Sequence, residues 1–185
     1  MYFETMGDRP GRLVFQLTLT TLLALTMTVE GMADELYAVG DTISPIELTD
    51  QHGKTGDVDR ATRFVLLVRD KFASEILKEA FVGMPPSTLG ERGVAYVTDI
   101  SEIPLMAANL FVVPGMRLKE YSILIDRHPI KTSRFPSKGG LVTVFFIEDL
   151  RIARIEFATT GSEINALLGL PSGTPDVEIS ASGRR

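Results

Sequence analysis

The side chains of this chain that could do chemistry are carboxylates, hydroxyls and one amine that follow two apolar runs. They are Asp70, Lys71, Ser74, Asp99 and Ser101. The runs, 64–68 and 94–98, are rich in β-forming residues, so we expect two buried strands whose carboxyl ends share one edge of a sheet. There Asp70 and Asp99 could bind a hard cation or act as acid and base. Alternatively, each carboxylate only solvates a strand end or caps the turn that follows it, and Asp99 suits such a turn.

Two further arrangements involve the same region. Ser74 and His52 could form a nucleophile and its base, but such a pair needs a third, orienting group that the sequence does not identify. Lys71 and the positive N-terminus of the helix that follows it could bind an anion. A glycine-containing loop at 137–140 is expected at the same edge. The predicted binding residues are therefore Asp70, Lys71, Ser74, Asp99, Ser101, Gly139 and Gly140, and we predict no catalytic residue, metal ligand or cofactor.

The composition excludes several classes of function. Cysteine is absent from the 185 residues and only two histidines occur. Disulfides, thiolate nucleophiles and thiolate or histidine-rich metal sites are therefore excluded. The net charge is −5 and no basic stripe with interleaved aromatic residues is visible, so nucleic acid is not an expected partner.

The elements that must position these residues alternate along the chain. The segment 63–81 predicts a buried strand running into an amphipathic helix with Ser74 as its N-cap and Glu75 in its first turn. Before and after this segment, we predict an edge strand at 43–48 beside Pro45 and a strand at 94–98. A helix at 104–111, ended by Pro114 and Gly115, and an apolar run at 121–125 follow. The last predicted elements are a hairpin of 141–147 and 151–157, whose broken alternation suits a bulge, and a helix at 163–168 capped by Ser162. This order predicts an α/β three-layer sandwich: a mixed central β-sheet with a C-terminal antiparallel hairpin and a final helix.

Residues 1–33 have the layout of a secretory signal peptide. Arg9 and Arg12 precede an apolar stretch, and small residues lie at the −3 and −1 positions before the predicted cleavage after Ala33. The alternative is an uncleaved membrane anchor, for which the apolar run is short. We therefore predict a signal peptide at 1–33, a periplasmic domain at 34–170 with no stable membrane anchor, and a disordered tail at 171–185.

Several short motifs resemble the thioredoxin fold in its longer peroxiredoxin and TlpA-type layout. They are Val39-Gly40-Asp41 and the stretches 47–54, 64–70, 123–126 and 144–148. The resemblance places the family's redox cysteines just after Asp70, where this chain has Ala73 and Ile76. It places the family's cis-proline just before Thr143, where this chain has Leu141 and Val142. Disulfide exchange and peroxide reduction need a thiolate, so thiol-disulfide oxidoreductase and peroxiredoxin activities are excluded.

The chain also resembles cysteine-less exported proteins of Gram-negative bacteria. These include YtfJ-like proteins and small proteins that carry the name "FAD/FMN-containing dehydrogenase". The matching stretches are 50–53, Arg69-Asp70, 97–101 and 134–136. A flavin is not expected, because no G-x-G-x-x-G motif occurs and a domain of this size leaves little room for one.

Three functions remain open at this point. The preferred one is a non-catalytic binding or scaffolding module for a protein or peptide partner, with edge-strand addition as the expected mode. The second is a small-molecule or ion binder at Asp70 and Asp99. The third is a flavin-linked oxidoreductase, as the name of the similar proteins implies.

Overall fold

A seven-stranded mixed sheet forms the centre of the part of the chain that the structure describes. The structure is a computed structural model, and it describes residues 35–128 and 130–171. The predicted signal peptide, and residues 172–185 of the predicted tail, lie outside the described residues. The strands are β1 (Ile46–Asp50), β2 (Thr55–Val58), β3 (Phe64–Val68), β4 (Val94–Asp99), β5 (Leu124–Asp126), β6 (Val142–Glu148) and β7 (Arg151–Ala158), in the spatial order β2-β1-β5-β4-β3-β6-β7.

Strand β3 lies inside the sheet and sets the direction of its neighbours. It pairs in parallel with β4 and antiparallel with β6, and β4 pairs in parallel with β5. Residues 65–68 are all buried, as expected for a strand that is covered on both faces. The α/β fold with a mixed central sheet is confirmed, and so are the predicted strands 64–68 and 94–98. Because β3, β4 and β5 run in parallel, their carboxyl ends meet at one edge of the sheet.

The edges of the sheet differ from the prediction. The strand next to Pro45 was expected at an edge, but β1 lies between β2 and β5, and the edge strand is β2. The prediction is wrong because β1 pairs with β5 only through Thr49 and Asp50, at the end away from Pro45. The proline therefore never has to donate a hydrogen bond to that neighbour.

The helices are α1 (Lys71–Ala80), α2 (Thr88–Glu91), α3 (Leu105–Ala107), α4 (Val113–Arg117) and α5 (Gly161–Leu168), with a π-helical segment, Ala108–Val112, between α3 and α4. Both predicted N-caps are wrong. Asp70 rather than Ser74 caps α1, and Thr160 rather than Ser162 caps α5. In each case an earlier extended residue accepts a hydrogen bond from the backbone N–H three positions on, so the helix begins before the serine.

The helical segment from 105 to 117 is longer than predicted. Pro114 and Gly115 were expected to end it, but the chain stays helical to Arg117. A π turn adds one residue to the turn before the proline, and Pro114 then lies in the first turn of α4, where its missing N–H costs little.

The C-terminal hairpin agrees with the prediction. Strands β6 and β7 pair antiparallel from Val142↔Ala158 to Glu148↔Arg151, and the register shifts between Phe146 and Ile147. This shift is the predicted bulge, since Phe146 pairs with Arg154 and Ile147 pairs with Ile152.

The apolar core has three clusters. The first joins β3, β4 and β6 to α1 and α5, and a small third cluster lies under the π-helical segment. The second consists of strand residues together with Ile43, Phe135 and Leu150, so on that side the strands pack against the entry segment and a loop. Among the described residues, no helix is long and apolar enough to span a membrane.

Candidate functional site

Arg69 organises the carboxyl ends of the strands, which we call the strand-end face. It follows β3, and its guanidinium pairs with the carboxylate of Asp99 at the end of β4. It also donates to the carbonyl oxygens of Thr132, at 2.5 Å, and Phe135, at 3.4 Å. The Asp99 side chain is 4% exposed and that of Arg69 is 27% exposed. The loop before β6 is therefore tied to the sheet by a largely buried ion pair.

Asp99 lies beside a second buried carboxylate that the sequence reasoning missed. Asp126 ends β5 and is the register partner of Asp99. Its Oδ2 accepts hydrogen bonds from the Thr132 hydroxyl at 2.8 Å and from the Thr132 N–H at 3.0 Å. The same hydroxyl lies 3.4 Å from Asp99 Oδ2, so Thr132 bridges the two acids. One signal was available: Asp126 follows the third apolar run just as Asp99 follows the second.

Asp70 is engaged separately from Asp99. Its Oδ1 accepts from the Ala73 N–H at 3.0 Å and its Oδ2 from the Gly140 N–H at 2.7 Å. It therefore caps α1 and fixes the glycine loop, of which Gly139 is exposed. Asp99 also accepts from the Ser101 N–H at 2.9 Å, which is the predicted turn. Both carboxylates thus have local structural roles.

Ser74 and Lys71 lie on α1 in different surroundings. Ser74 Oγ donates to the Asp70 carbonyl oxygen at 3.1 Å, and Ser74 lines a hollow with Tyr96 and Tyr121 between α1 and α4. Burial raises the pKa of both tyrosine hydroxyls, and in Tyr96 the nearby Tyr121 raises it further. These phenols stay protonated at neutral pH. Lys71 is exposed.

The positions that resemble the redox site carry only apolar side chains. Ala73 is completely buried in the first turn of α1, and Ile76 is half-buried. Val142 begins β6 and is also completely buried. The place where thiol chemistry would occur is thus filled by core packing.

A cleft opens at the end of β4 and β5. Its volume is about 440 Å³, and its lining residues are Ile100, Ser101, Glu102, Ile103, Pro104, Leu105, Ala108, Arg127 and His128. Ser101 and Glu102 also line a smaller hollow beside Arg69 and Asp99. Of the predicted site residues, Ser101 and Asp99 therefore border open space at the strand-end face, and Ser74 borders the separate hollow between α1 and α4.

The helical segment next to this cleft exposes large apolar side chains. Six of the nine exposed residues between 105 and 118 are apolar: Leu105, Met106, Leu110, Phe111, Pro114 and Leu118. The first four are 61–76% exposed. We call this set the apolar helix face. The sequence predicts a short apolar helix at 104–111 but does not indicate which of its side chains are exposed.

The π turn explains why these side chains point outward. Ala108 and Val113, five residues apart, are both buried in the third core cluster. A π turn aligns residues five apart, whereas an α-helix aligns residues three or four apart. The intervening Leu110 and Phe111 are therefore left on the solvent side.

No metal site is evident in the described ranges, 35–128 and 130–171. They contain no group of three or more His, Asp or Glu side chains that could hold a metal ion.

Comparison with known proteins supports the fold. No family model and no curated protein sequence matches the chain. Among solved structures, it is similar to a protein from Chlorobium tepidum described as a thiol:disulfide interchange protein DsbE, at 11% identity and a TM-score of 0.50, over 70% of this chain and 92% of that one. It is also similar to the peroxidoxin BcpB from Mycobacterium tuberculosis, at 17% identity and a TM-score of 0.47, over 71% and 94%. A third similar structure is a peroxiredoxin-like protein from Aquifex aeolicus, at 11% identity and a TM-score of 0.46, over 72% and 87%.

Proposed function

We propose that this protein, which has a thioredoxin-like fold and no cysteine, is an exported, non-catalytic binding module for a protein partner. The observation that carries the proposal is the apolar helix face, where four large side chains are 61–76% exposed within seven residues. Contiguous exposed apolar side chains of this kind mark interaction surfaces. Phe and Met, both present here, are enriched at such surfaces.

Burial of the apolar helix face would release free energy on the scale that docking requires. Burial of one large apolar side chain stabilises a complex by about 1.5–3 kcal/mol. Three or four such side chains contribute about 4.5–12 kcal/mol in total, which is comparable with the cost of association, on the order of 4–15 kcal/mol. The face also belongs to a helical segment packed on the core through Ala108 and Val113, so little backbone conformational entropy remains to be lost.

The hydrogen bonding of the acids at the strand-end face favours a non-catalytic role. Both carboxylate oxygens of Asp70, Asp99 and Asp126 accept hydrogen bonds from backbone or side-chain donors. A general base needs free access to the proton that it removes, and a carboxylate held by several donors is poorly suited to that role.

Site-specific photo-cross-linking in the producing cells tests the proposal. A photoreactive residue in place of Phe111 should give one cross-linked product of defined mass. The matched control is Val82, which is 65% exposed in the loop after α1 and should give none. Leu110→Asp should abolish the product at position 111. Absence of a product at 111, or equal products at 111 and 82, would contradict the proposal.

A further inference from the structure

We propose that the partner segment bound at the apolar helix face carries an acidic residue beside a bulky apolar one, and that Arg127 pairs with that acid. This inference rests on the proposed function and names the chemistry of its partner. The apolar side chain would enter the cleft at the end of β4 and β5, and the carboxylate would lie beside Arg127 in the cleft lining.

The cleft is continuous with the apolar helix face. Leu105 belongs to both, and Ala108 lies in the cleft lining one turn further along the same helical segment. Ile100, Ile103 and Pro104 complete an apolar lining of a cavity of about 440 Å³. A space of this kind takes one large aliphatic or aromatic side chain as an anchor for a docked segment.

Arg127 supplies the charge at this cleft. It is exposed, it lines the cleft, and its Nη1 donates to Asn109 Oδ1 at 3.2 Å. This bond holds the guanidinium next to the apolar helix face. Arg127 makes no ion pair with any residue in the described part of the chain. The carboxylate of its neighbour Asp126 is buried and engaged by Thr132.

Arg127 and Glu102 are the charged side chains among the residues that line the cleft. The stretch 105–140, which follows Glu102 and includes Arg127, contains six basic and two acidic side chains, a net charge of +4, whereas the whole chain carries −5. The exposed Arg127 and the positive balance of this stretch favour an acidic partner and increase the rate of encounter.

A random linear peptide library displayed on phage, selected on the purified protein, tests the inference. Enriched peptides should carry Asp or Glu within two positions of Leu, Ile, Met or Phe. A synthetic peptide from the selection should bind about tenfold more weakly to Arg127→Glu, a loss comparable with one interfacial charge pair. Replacement of the peptide's acid by Lys should restore binding to Arg127→Glu. Glu102→Gln, which removes the acid that lines the cleft, should bind the acidic peptide more tightly.

The matched control is Arg154→Glu, an exposed arginine on β7 that is paired with Glu156 and should not affect peptide binding. Enrichment of apolar peptides without an acid would overturn the inference and leave the proposed binding module intact. No enrichment would overturn both. A dimer that Phe111→Asp dissociates would assign the face to a second copy, and binding to vesicles of equal parts phosphatidylglycerol and phosphatidylcholine would assign it to a membrane. Either result would also overturn the inference.

Discussion

Arg69 and Asp99 show how two residues from neighbouring strands fix a loop that is distant in sequence. The pair lies between β3, β4 and the loop carrying Thr132 and Phe135. Removing one partner of a buried ion pair leaves the other charge without compensation, and this is usually more costly than the pair is favourable.

Arg69→Ala should therefore lower the free energy of unfolding by about 2 kcal/mol, less than for a fully buried pair because Arg69 is 27% exposed. Chemical denaturation measures this change. The control is Arg60→Ala, which breaks a pair whose side chains are 80% and 75% exposed and should cost well under about 1 kcal/mol. Equal losses in the two variants would show that the buried pair has no special role.

The Asp70 carboxylate accepts two hydrogen bonds, from the N–H groups of Ala73 and Gly140, whose effects can be measured separately. Asp70→Ala removes the cap of α1 and the bond to Gly140, and should cost about 1–2 kcal/mol. Hydrogen exchange at the Gly140 amide should become faster. Thr160→Ala removes only the cap of α5, so it should lower stability without changing exchange at Gly140. Unchanged exchange in Asp70→Ala would mean that the loop is held by other contacts.

Helix α5 begins with a reciprocal cap whose effect depends on pH. The Thr160 hydroxyl accepts from the Glu163 N–H, and the Glu163 carboxylate accepts from the N–H and hydroxyl of Thr159. The backbone and hydroxyl donors of Thr159 lower the pKa of Glu163 below its ordinary value of 4.5.

A carboxyl group with a lowered pKa in the folded state stabilises the fold above its unfolded pKa, and this stabilisation is lost as the pH falls through the folded value. Glu163→Gln should therefore be less stable than the unmodified protein at neutral pH, and the difference should shrink as the pH falls below about 4. Thermal unfolding of both proteins across this pH range measures it. A difference that stays constant with pH would show that the charge of Glu163 is not responsible.

Local sequence patterns do not predict where the helical segment 105–117 ends. Pro104 correctly predicts where the helix begins, but Pro114 wrongly predicts where it ends. Local rules assume α-helical turns, in which a proline removes one hydrogen bond and clashes with the preceding turn. The π turn removes that conflict, and it forms because Ala108 and Val113 both pack into the core. That packing involves Ile100 and Ile125 from other elements, so no local pattern reports it.

For the whole molecule, the sequence predicted the fold better than the site. The buried strands and the hairpin followed from runs of β-forming residues, and the order of elements indicated a thioredoxin-like sheet. Asp70, Asp99 and Gly140 were rightly placed at the strand ends. The side chains and loops that these residues contact were not predicted, because the contacts of Arg69 with Asp99 and Thr132 span 30 and 63 residues. Such contacts depend on strand order and register, which composition and periodicity do not specify.

Native mass spectrometry of the protein isolated gently from the producing cells tests the central claim most directly. If the protein is a non-catalytic binding module, the measured mass should include a bound polypeptide. The mass of the protein itself should correspond to a chain that begins at Asp34 after cleavage. Phe111→Asp should release that polypeptide, whereas Val82→Asp should retain it. An added mass equal to a flavin or another small metabolite, with no polypeptide bound, would contradict the claim and would instead favour a ligand site at the strand-end face.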